Sequence, residues 1–363
     1  METKQPNRIK IILAIASKDI LQAINDKITL GVIIGVMLMI LPSQLLPLIL
    51  QNEKIPMAVI YSPDATPLSK QLSELEDTSA FQVNSLEKLA DEIASSRRPS
   101  IGLALPKGFG ENVDAQTPVT IEAYLAHWTT REQSVNLVQH FETKISALTN
   151  NEVQILIIDD QVHPDENTRG LEVMYILQMI NAIMTISLVL VPQLMMSEKD
   201  THTLDALLVS PASLADIIFG KGITGCFYAI LGTSIVVLMN TYIIAHWWLL
   251  LLGIVSGILF AVLLGLLIGL LFDNLQKATL WMSIFVFLII APAIIKLLLT
   301  VNLPQFLELI IHWLPSGQLA NLIQMSLMKA VDLPMAFAGL GILWASNGLL
   351  LGLIGLQIKR QMR

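Results

Sequence analysis

The chain has 363 residues, of which 54% are hydrophobic and only 14% are charged, and its formal net charge at pH 7 is −7. Such a composition is far from that of a soluble globular protein and indicates an integral membrane protein. The negative balance argues against nucleic-acid binding, which needs a basic face.

Residues 1–27 are predicted to form a short amphipathic helix at the cytoplasmic interface of the membrane. The apolar positions that share one helical face are Ile9, Ile12, Leu13, Ala16, Ile20 and Ala23. The pattern leaves two roles open for this helix. It could be a flanking anchor stabilised by anionic lipid, or a mechanical element.

Six apolar segments are long enough to cross a bilayer, since each crossing helix needs about 20 mainly apolar residues. They are residues 28–50, 171–196, 217–245, 249–272, 278–299 and 336–358. The first lacks the small-residue cleavage site of a secretory signal, so we interpret it as a retained anchor. The sequence therefore predicts an α-helical polytopic membrane protein with six transmembrane helices.

Lysine and arginine near the ends of these segments predict their orientation, because such residues favour the cytoplasmic side. They precede the first segment and then occur at Lys199, Lys221, Lys277, Lys359, Arg360 and Arg363. We therefore expect a multi-pass protein of the cell membrane with both termini in the cytoplasm. Residues 51–170 are expected to be extracytoplasmic.

Residues 51–170 form a polar block that is long enough to fold alone. It holds 18 of the 29 acidic and 9 of the 22 basic residues, so it carries a net charge of −9 while the remainder carries +2. Apolar and β-branched runs predict strands at 55–62, 100–106, 118–125 and 153–159, and helices are expected at 66–77, 85–95 and 130–149. The block is predicted to be a small mixed α/β domain.

A charged segment, residues 197–216, lies between the second and third apolar segments. Pro211 interrupts it, and Ser213 to Asp216 matches the Ser-x-x-Asp/Glu pattern of a helix start. Two short helices joined at Ser210-Pro211 are therefore predicted. By pattern alone, this segment could be a docking surface or a generic amphipathic loop.

This segment resembles the Glu…Gly-Thr-Leu-Glu-x-Leu-Leu-Val-Ser-Pro…Gly-Lys signature of ABC type 2 exporter permeases. The residues that carry the resemblance are Glu198, Thr203, Leu204, Asp205, Leu207, Leu208, Val209, Ser210, Pro211, Gly220 and Lys221. His202 stands where the family usually has Gly, and Asp205 replaces the usual Glu. The outer block is also similar to the family's external domain, through AVIYSPD from Ala58 and SIGLALPKGF from Ser100.

The resemblance implies the permease subunit of an ATP-binding cassette exporter, in which residues 197–216, here named the coupling segment, dock on a separate ATPase. The implied coupling residues are Glu198, Thr203, Leu204, Asp205, Leu207, Leu208, Ser210 and Pro211. The implied partners are two ATPase chains, a second permease that is the same or homologous, and the lipid bilayer. The chain itself contains no Gly-x-x-x-x-Gly-Lys-Ser/Thr phosphate loop, so we expect a transporter subunit that is not an enzyme.

The residues suited to metal binding or catalysis are sparse. Six histidines lack the His-x-x-x-His spacing of a metal site, and Cys226 is the single cysteine. We therefore predict no metal, no cofactor and no catalytic residue.

Polar side chains within the apolar segments are costly unless they face protein or water. Gln178 and Asn181 lie three residues apart, hence on one face of the second segment. In the resembled family the second and fifth spans of two permeases line the central path, which makes this pair a candidate for the substrate path. Hydrogen bonding between helices is the alternative.

Residues 303–332 are too apolar for a plain loop and too short to form two further crossings. We expect them to form two helices that enter the outer leaflet and return, as the resembled family has before its last span. Two other functional classes stay open. One is a membrane receptor or scaffold whose outer domain binds a ligand or envelope partner, and the other is a proton-coupled carrier, which is disfavoured because the segments lack an Asp, Glu and His relay.

Overall fold

The computed structural model describes residues 8–25, 30, 31, 34, 35, 38, 56–64, 71, 72, 78–96, 99–158, 162, 171–200, 212–272, 275–298 and 311–361. Helix α1, Arg8–Asn25, lies within the predicted N-terminal helix. The chain divides into two compact units, one comprising Pro42–Met174 with Leu327–Lys329 and the other comprising Met1–Leu41, Tyr175–Ser326 and Ala330–Arg363.

A five-stranded mixed sheet forms the centre of the first unit. Its strands are β1 (Met57–Tyr61), β2 (Ser79–Val83), β3 (Ser100–Ala104), β4 (Val119–Leu125) and β5 (Val153–Ile157), in the order β2-β1-β3-β4-β5. Only the β3–β4 pair is antiparallel. The sheet confirms the predicted mixed α/β fold of this block, whereas its extracytoplasmic location stays a prediction.

Helices cover the two faces of this sheet. Leu89 of α2 (Leu86–Ser95) lies 2.6 Å from the position that a Cβ on Gly102 would occupy, so α2 packs closely on that face of β3. Phe141 of α4 (Arg131–Thr149) packs with Leu103, whose side chain points to the opposite face because strand residues alternate. The buried core therefore lies on both sides of β3.

A short helix follows β3 that is not among the helices predicted from the sequence. Helix α3, Phe109–Asp114, begins after Gly108, which adopts a left-handed conformation with φ +70° that favours glycine. The backbone N–H of Gly108 donates to the Asp64 carboxylate at 2.8 Å, and Phe109 is buried in the core. The strand β2 was also missed by the sequence analysis, whereas most of the helix predicted at 66–77 lies outside the described residues.

The second unit contains the long apolar helices. After α5 (Leu171–Thr185), a π-helical stretch, Ile186–Leu190, leads into α6 (Val191–Asp200). The remaining helices are α7 (Leu214–Met239), α8 (Trp247–Leu271), α9 (Leu275–Leu298), α10 (Pro315–Leu327) and α11 (Leu333–Gln361).

Four helices in the described part of the chain are long and apolar enough to cross a membrane: Glu172–Met196, Leu214–Met239, Trp247–Leu271 and Leu333–Gln361. They correspond to the second, third, fourth and sixth predicted segments. Within α9, the apolar stretch Lys277–Ala291 is shorter. Most of the predicted first segment, 28–50, lies outside the described residues, so four of the six predicted crossings are supported.

The π-helical stretch has a direct physical cause in the sequence. Pro192 has no backbone N–H, and in an α-helix its ring would clash with the carbonyl four residues earlier. The wider π turn before Pro192 relieves this conflict while keeping the segment helical. The sequence analysis treated residues 171–196 as a regular span and did not predict this feature.

The π-helical stretch and α6 pack closely against glycines of two neighbouring helices. A Cβ on Gly265 of α8 would lie 2.8 Å from the Ser187 carbonyl oxygen, and a Cβ on Gly269 would lie 2.9 Å from the Met195 side chain. Gly225 of α7 approaches the Val191 side chain in the same way. Small residues thus let α5–α6 lie close to α7 and α8.

Helix α10 lies within the stretch 303–332 that was predicted to hold two short helices; residues 299–310 lie outside the described part of the chain. Leu319 and Leu322 pack on Gly257 and Gly253 of α8. The backbone N–H of His246, before α8, donates to the Ser326 carbonyl at 2.8 Å. Helix α10 therefore runs alongside the first half of α8.

Candidate functional site

Most of the predicted coupling residues lie outside the part of the chain that the structure describes. These are Thr203, Leu204, Asp205, Leu207, Leu208, Ser210 and Pro211. Glu198 lies in the last turns of α6, where its backbone is helical and its side chain is not described. The two ends of the coupling segment are described, and their contacts define the site.

The end that leads into α7 is fixed by a capping box. The Ser213 hydroxyl accepts a hydrogen bond from the Asp216 backbone N–H at 3.2 Å, and the Ser213 backbone N–H donates to the Asp216 carboxylate at 2.9 Å. Asp216 is buried at the positive end of the helix dipole, which favours a carboxylate. This arrangement confirms the helix start predicted from Ser213 to Asp216 and satisfies backbone groups that would otherwise be unpaired.

The other end is fixed through a lysine near the end of α6. The Lys199 ammonium donates to the backbone carbonyl of Phe272 at 2.9 Å. Phe272 follows the last residue of α8, where backbone carbonyls have no partner within the helix. Lys199 therefore joins the end of α6 to the end of α8. The sequence analysis considered this residue only as a basic residue that favours the cytoplasmic side.

Helix α1 lies against the first turns of α7. A Cβ on Gly220 would lie 2.8 Å from the Ile15 side chain, so glycine permits this close approach. Ile15 also packs with Ala212 and Ile217 in a small hydrophobic cluster. The two helices are thus in van der Waals contact next to the coupling segment.

Two side chains of α7 donate hydrogen bonds to backbone carbonyls of α1. The Thr224 hydroxyl donates to the Ala16 carbonyl at 3.3 Å, and the Tyr228 hydroxyl donates to the Ile20 carbonyl at 2.6 Å. Each donor is one helical turn from the other, as is each acceptor. The helices therefore stay side by side over at least one turn.

The centre of the site is a buried ion pair. The Lys221 ammonium lies 3.2 Å from a carboxylate oxygen of Asp19, and the two side chains are 1% and 4% exposed. Lys221 also donates to the Leu194 carbonyl of α6 at 2.8 Å. Burying charge is costly unless it is paired and hydrogen-bonded, so each of these partners makes the burial of the others possible.

The face of α1 that lies against α7 overlaps only partly with the apolar face that the sequence predicts for the membrane interface, and the contact of that apolar face with a membrane stays a prediction. Ile15, Ala16 and Asp19 lie against α7, whereas Ile9 and Leu13 are 67% and 53% exposed. The contact with α7 is therefore partly polar and includes the only acidic residue among 8–25. Asp19 was not identified from the sequence, although a single carboxylate in a basic helix, together with Lys221 in an apolar one, is a usable signal.

The candidate path residues lie on α5. The side-chain oxygen of Asn181 accepts a hydrogen bond from the Thr185 hydroxyl at 2.6 Å. The side-chain oxygen of Gln178 is buried and has no hydrogen-bond partner among the described residues. The two side chains thus differ in their hydrogen bonding. Their place on a substrate path stays a prediction.

Four long apolar helices, with a small mixed α/β domain inserted in the chain, define a multi-pass membrane protein. A family model described as ABC-2 family transporter protein matches residues 28–356, which is most of the chain. The protein therefore belongs to the ABC-2 transporter family, as the resemblance in the coupling segment predicted. It is an ABC transporter permease. A comparison with individually curated proteins gave no match.

Proposed function

We propose that this protein is the permease subunit of an exporter that moves its substrate outward with energy from a separate ATPase. The observation that carries the proposal is the family match over residues 28–356. In this arrangement two ATPase chains act on two permeases, the second of which is the same chain or a homologue. Both termini and the coupling segment face the cytoplasm, and residues 51–170 lie outside.

The sequence supports the proposed ATPase partner. No Gly-x-x-x-x-Gly-Lys-Ser/Thr segment occurs in the chain, and the single Gly-Lys pair, Gly220-Lys221, lies within α7. Its lysine pairs with Asp19 and is buried, so it cannot reach a nucleotide phosphate. The energy for transport is thus supplied by another chain.

The contacts around the coupling segment support a mechanical role for it. Its exit is fixed by the Ser213–Asp216 capping box, and its entrance is fixed by the Lys199 contact with Phe272. A movement of the segment would therefore displace α6, α7 and α8, because the helix ends next to it are held by hydrogen bonds and do not fray. Gln178 and Asn181, on the helix that continues into α6, are the residues that we place on the substrate path.

The proposal is tested by replacing Leu207 and Leu208 together with Asp. Charged side chains at these positions would be buried without partners in a docked complex, so association with the ATPase should be lost. The measurement is co-purification of a tagged permease with the cognate ATPase from membranes. Insertion and yield should match those of the wild-type chain.

A matched control is Leu86→Asp. Leu86 is 45% exposed on the outer domain and is the first residue of α2, where a carboxylate is favourable. This variant should retain the ATPase at the wild-type level. Wild-type co-purification of the Leu207→Asp, Leu208→Asp variant would contradict the proposed docking.

A further inference from the structure

We propose that Asp19 and Lys221 are a positioning pair that ties α1 to both ends of the coupling segment, so that α1 moves as one body with α6 and α7. This inference rests on the proposed function, because it concerns how force from the ATPase is passed on. It assigns α1 a mechanical role, which the amphipathic pattern alone left undecided.

The lysine connects three parts of the chain through one ammonium group. Leu194 lies just before the coupling segment and Lys221 lies just after it. The 2.8 Å hydrogen bond between them therefore holds the two ends of the segment together. The 3.2 Å contact with Asp19 adds α1 to the same point. A displacement of the coupling segment therefore reaches all three helices through this group.

Burial makes these contacts interdependent. With both side chains at 4% exposure or less, neither charge has access to water. Removal of α1 from α7 would take the Asp19 carboxylate away from the buried Lys221 ammonium, and separating a buried ion pair in this way is strongly unfavourable. Detachment of α1 is therefore opposed by more than the loss of its apolar contacts.

The neighbouring contacts allow little sliding of α1 along α7. Ile15 occupies the space above Gly220, and the hydrogen bonds from Thr224 and Tyr228 end on carbonyls one turn apart in α1. A shift of one turn would separate the ion pair and move Ile15 away from Gly220, and these side-chain contacts, unlike the backbone carbonyls, do not recur one turn along α1. An interfacial anchor would need only the exposed face that carries Ile9 and Leu13, and none of these contacts.

The test uses distance measurements between two spin labels in the full-length chain. Cys226 is the single cysteine, so Cys226→Ser gives a cysteine-free background. Labels are placed at Ser17, which is exposed on α1, and at Ile230, which is 52% exposed on α7. Double electron–electron resonance then reports the position of α1 relative to α7.

In the permease alone, the labelled chain with Asp19 and Lys221 intact should give one narrow distance distribution. Lys221→Met should broaden it and lower the melting temperature, because Asp19 is left buried without its cation. The double variant Asp19→Asn, Lys221→Met removes both charges, so its melting temperature should return towards the wild-type value. Its distance distribution should stay broad, because the ion pair between α1 and α7 is still absent.

The double variant separates a positioning role from a purely structural one. If it restores both the melting temperature and the narrow distribution, the pair serves stability alone and the inference is wrong. Lys10→Met is the control, since it makes the same side-chain change at an exposed position of α1. It should leave both readings unchanged.

A second arm uses the complex with the ATPase, with and without vanadate-trapped nucleotide. The Ser17–Ile230 distance should be the same in both states, while a label pair at Ile230 and Phe337 of α11 should change its distance. A change in the Ser17–Ile230 distance of more than one helical turn, about 5 Å, would show that α1 moves independently and overturn the inference. If no ATPase binds the wild-type chain, the proposed function fails, and the permease-only arm still decides whether the pair holds α1 on α7.

Discussion

The backbone carbonyl oxygen of Ser187 lies 2.8 Å from the position that a Cβ atom on Gly265 would occupy. Ser187 belongs to the π-helical stretch and Gly265 to α8, so α8 approaches the backbone of the irregular turn closely at this glycine. The same stretch packs against α7 where Ile186 approaches Gly232, and Val191, directly after the stretch, approaches Gly225. The helix with the π-helical stretch therefore packs closely on α7 and α8 at positions where glycine leaves space.

Gly265→Ala should therefore destabilise the protein, because the new methyl group would press on a backbone atom that cannot rotate away. We expect a loss of about 1–3 kcal/mol, as is typical of overpacked sites. Gly348→Ala is the control, since its Cβ would meet no other segment of the described chain within 4 Å. Thermal unfolding in detergent should show a lower midpoint for the first variant and a wild-type midpoint for the second, and equal midpoints would contradict the packing described here.

The outer edge of the sheet gives a second prediction. Glu142 and Ser146 of α4 accept hydrogen bonds from the backbone N–H groups of Ile155 and Val153, at 2.8 Å and 3.3 Å. These side chains occupy donors on the edge strand β5 and so protect it from pairing with another chain. Glu142→Ala should increase hydrogen exchange at residues 153–157, with a loss of about 1–2 kcal/mol of local stability.

Gln139→Ala, one turn earlier on the exposed side of α4, serves as the control for that experiment. It removes a side chain of similar length and should leave exchange at β5 unchanged. Exchange in the Glu142 variant as slow as in the wild-type chain would show that the hydrogen bond does not protect the strand.

The capping box at the start of α7 gives a third prediction. Ser213→Ala removes the hydroxyl that accepts from Asp216 N–H and should cost about 1 kcal/mol of helix stability. Peptides covering residues 212–220 should exchange faster, because the first turn frays. Ser283→Ala removes a hydroxyl from the middle of α9, where it donates to the Thr279 carbonyl of its own helix, and should have no comparable effect. Uniform exchange in all three chains would argue against the cap.

Much of this fold follows from local patterns in the sequence. The apolar segments gave the helices α7, α8 and α11 to within several residues, and the runs starting near Ile55, Ser100, Pro118 and Val153 gave four of the five strands. β2 was missed because Phe81 and Gln82 are exposed, so its own pattern is weak and its conformation depends on parallel pairing with β1.

The candidate site was harder to predict than the fold. Ser213 and Asp216 are three residues apart, so their hydrogen bonds are encoded locally and the cap was predicted correctly. Asp19 and Lys221 are 202 residues apart, and nothing in either local sequence specifies the pairing. The π turn was missed for a different reason. The apolar pattern of residues 171–196 is that of a regular span, and it does not show that Pro192 disturbs the turn before it.

The central claim is that the coupling segment faces the cytoplasm, where an ATPase can act on it. The most direct measurement is cysteine labelling with a membrane-impermeant maleimide in the Cys226→Ser background, comparing Asp205→Cys with Glu111→Cys in the mixed α/β domain. In intact cells we expect Glu111→Cys to be labelled and Asp205→Cys to react only after the membrane is opened. Labelling of Asp205→Cys in intact cells would place the segment outside and contradict the account.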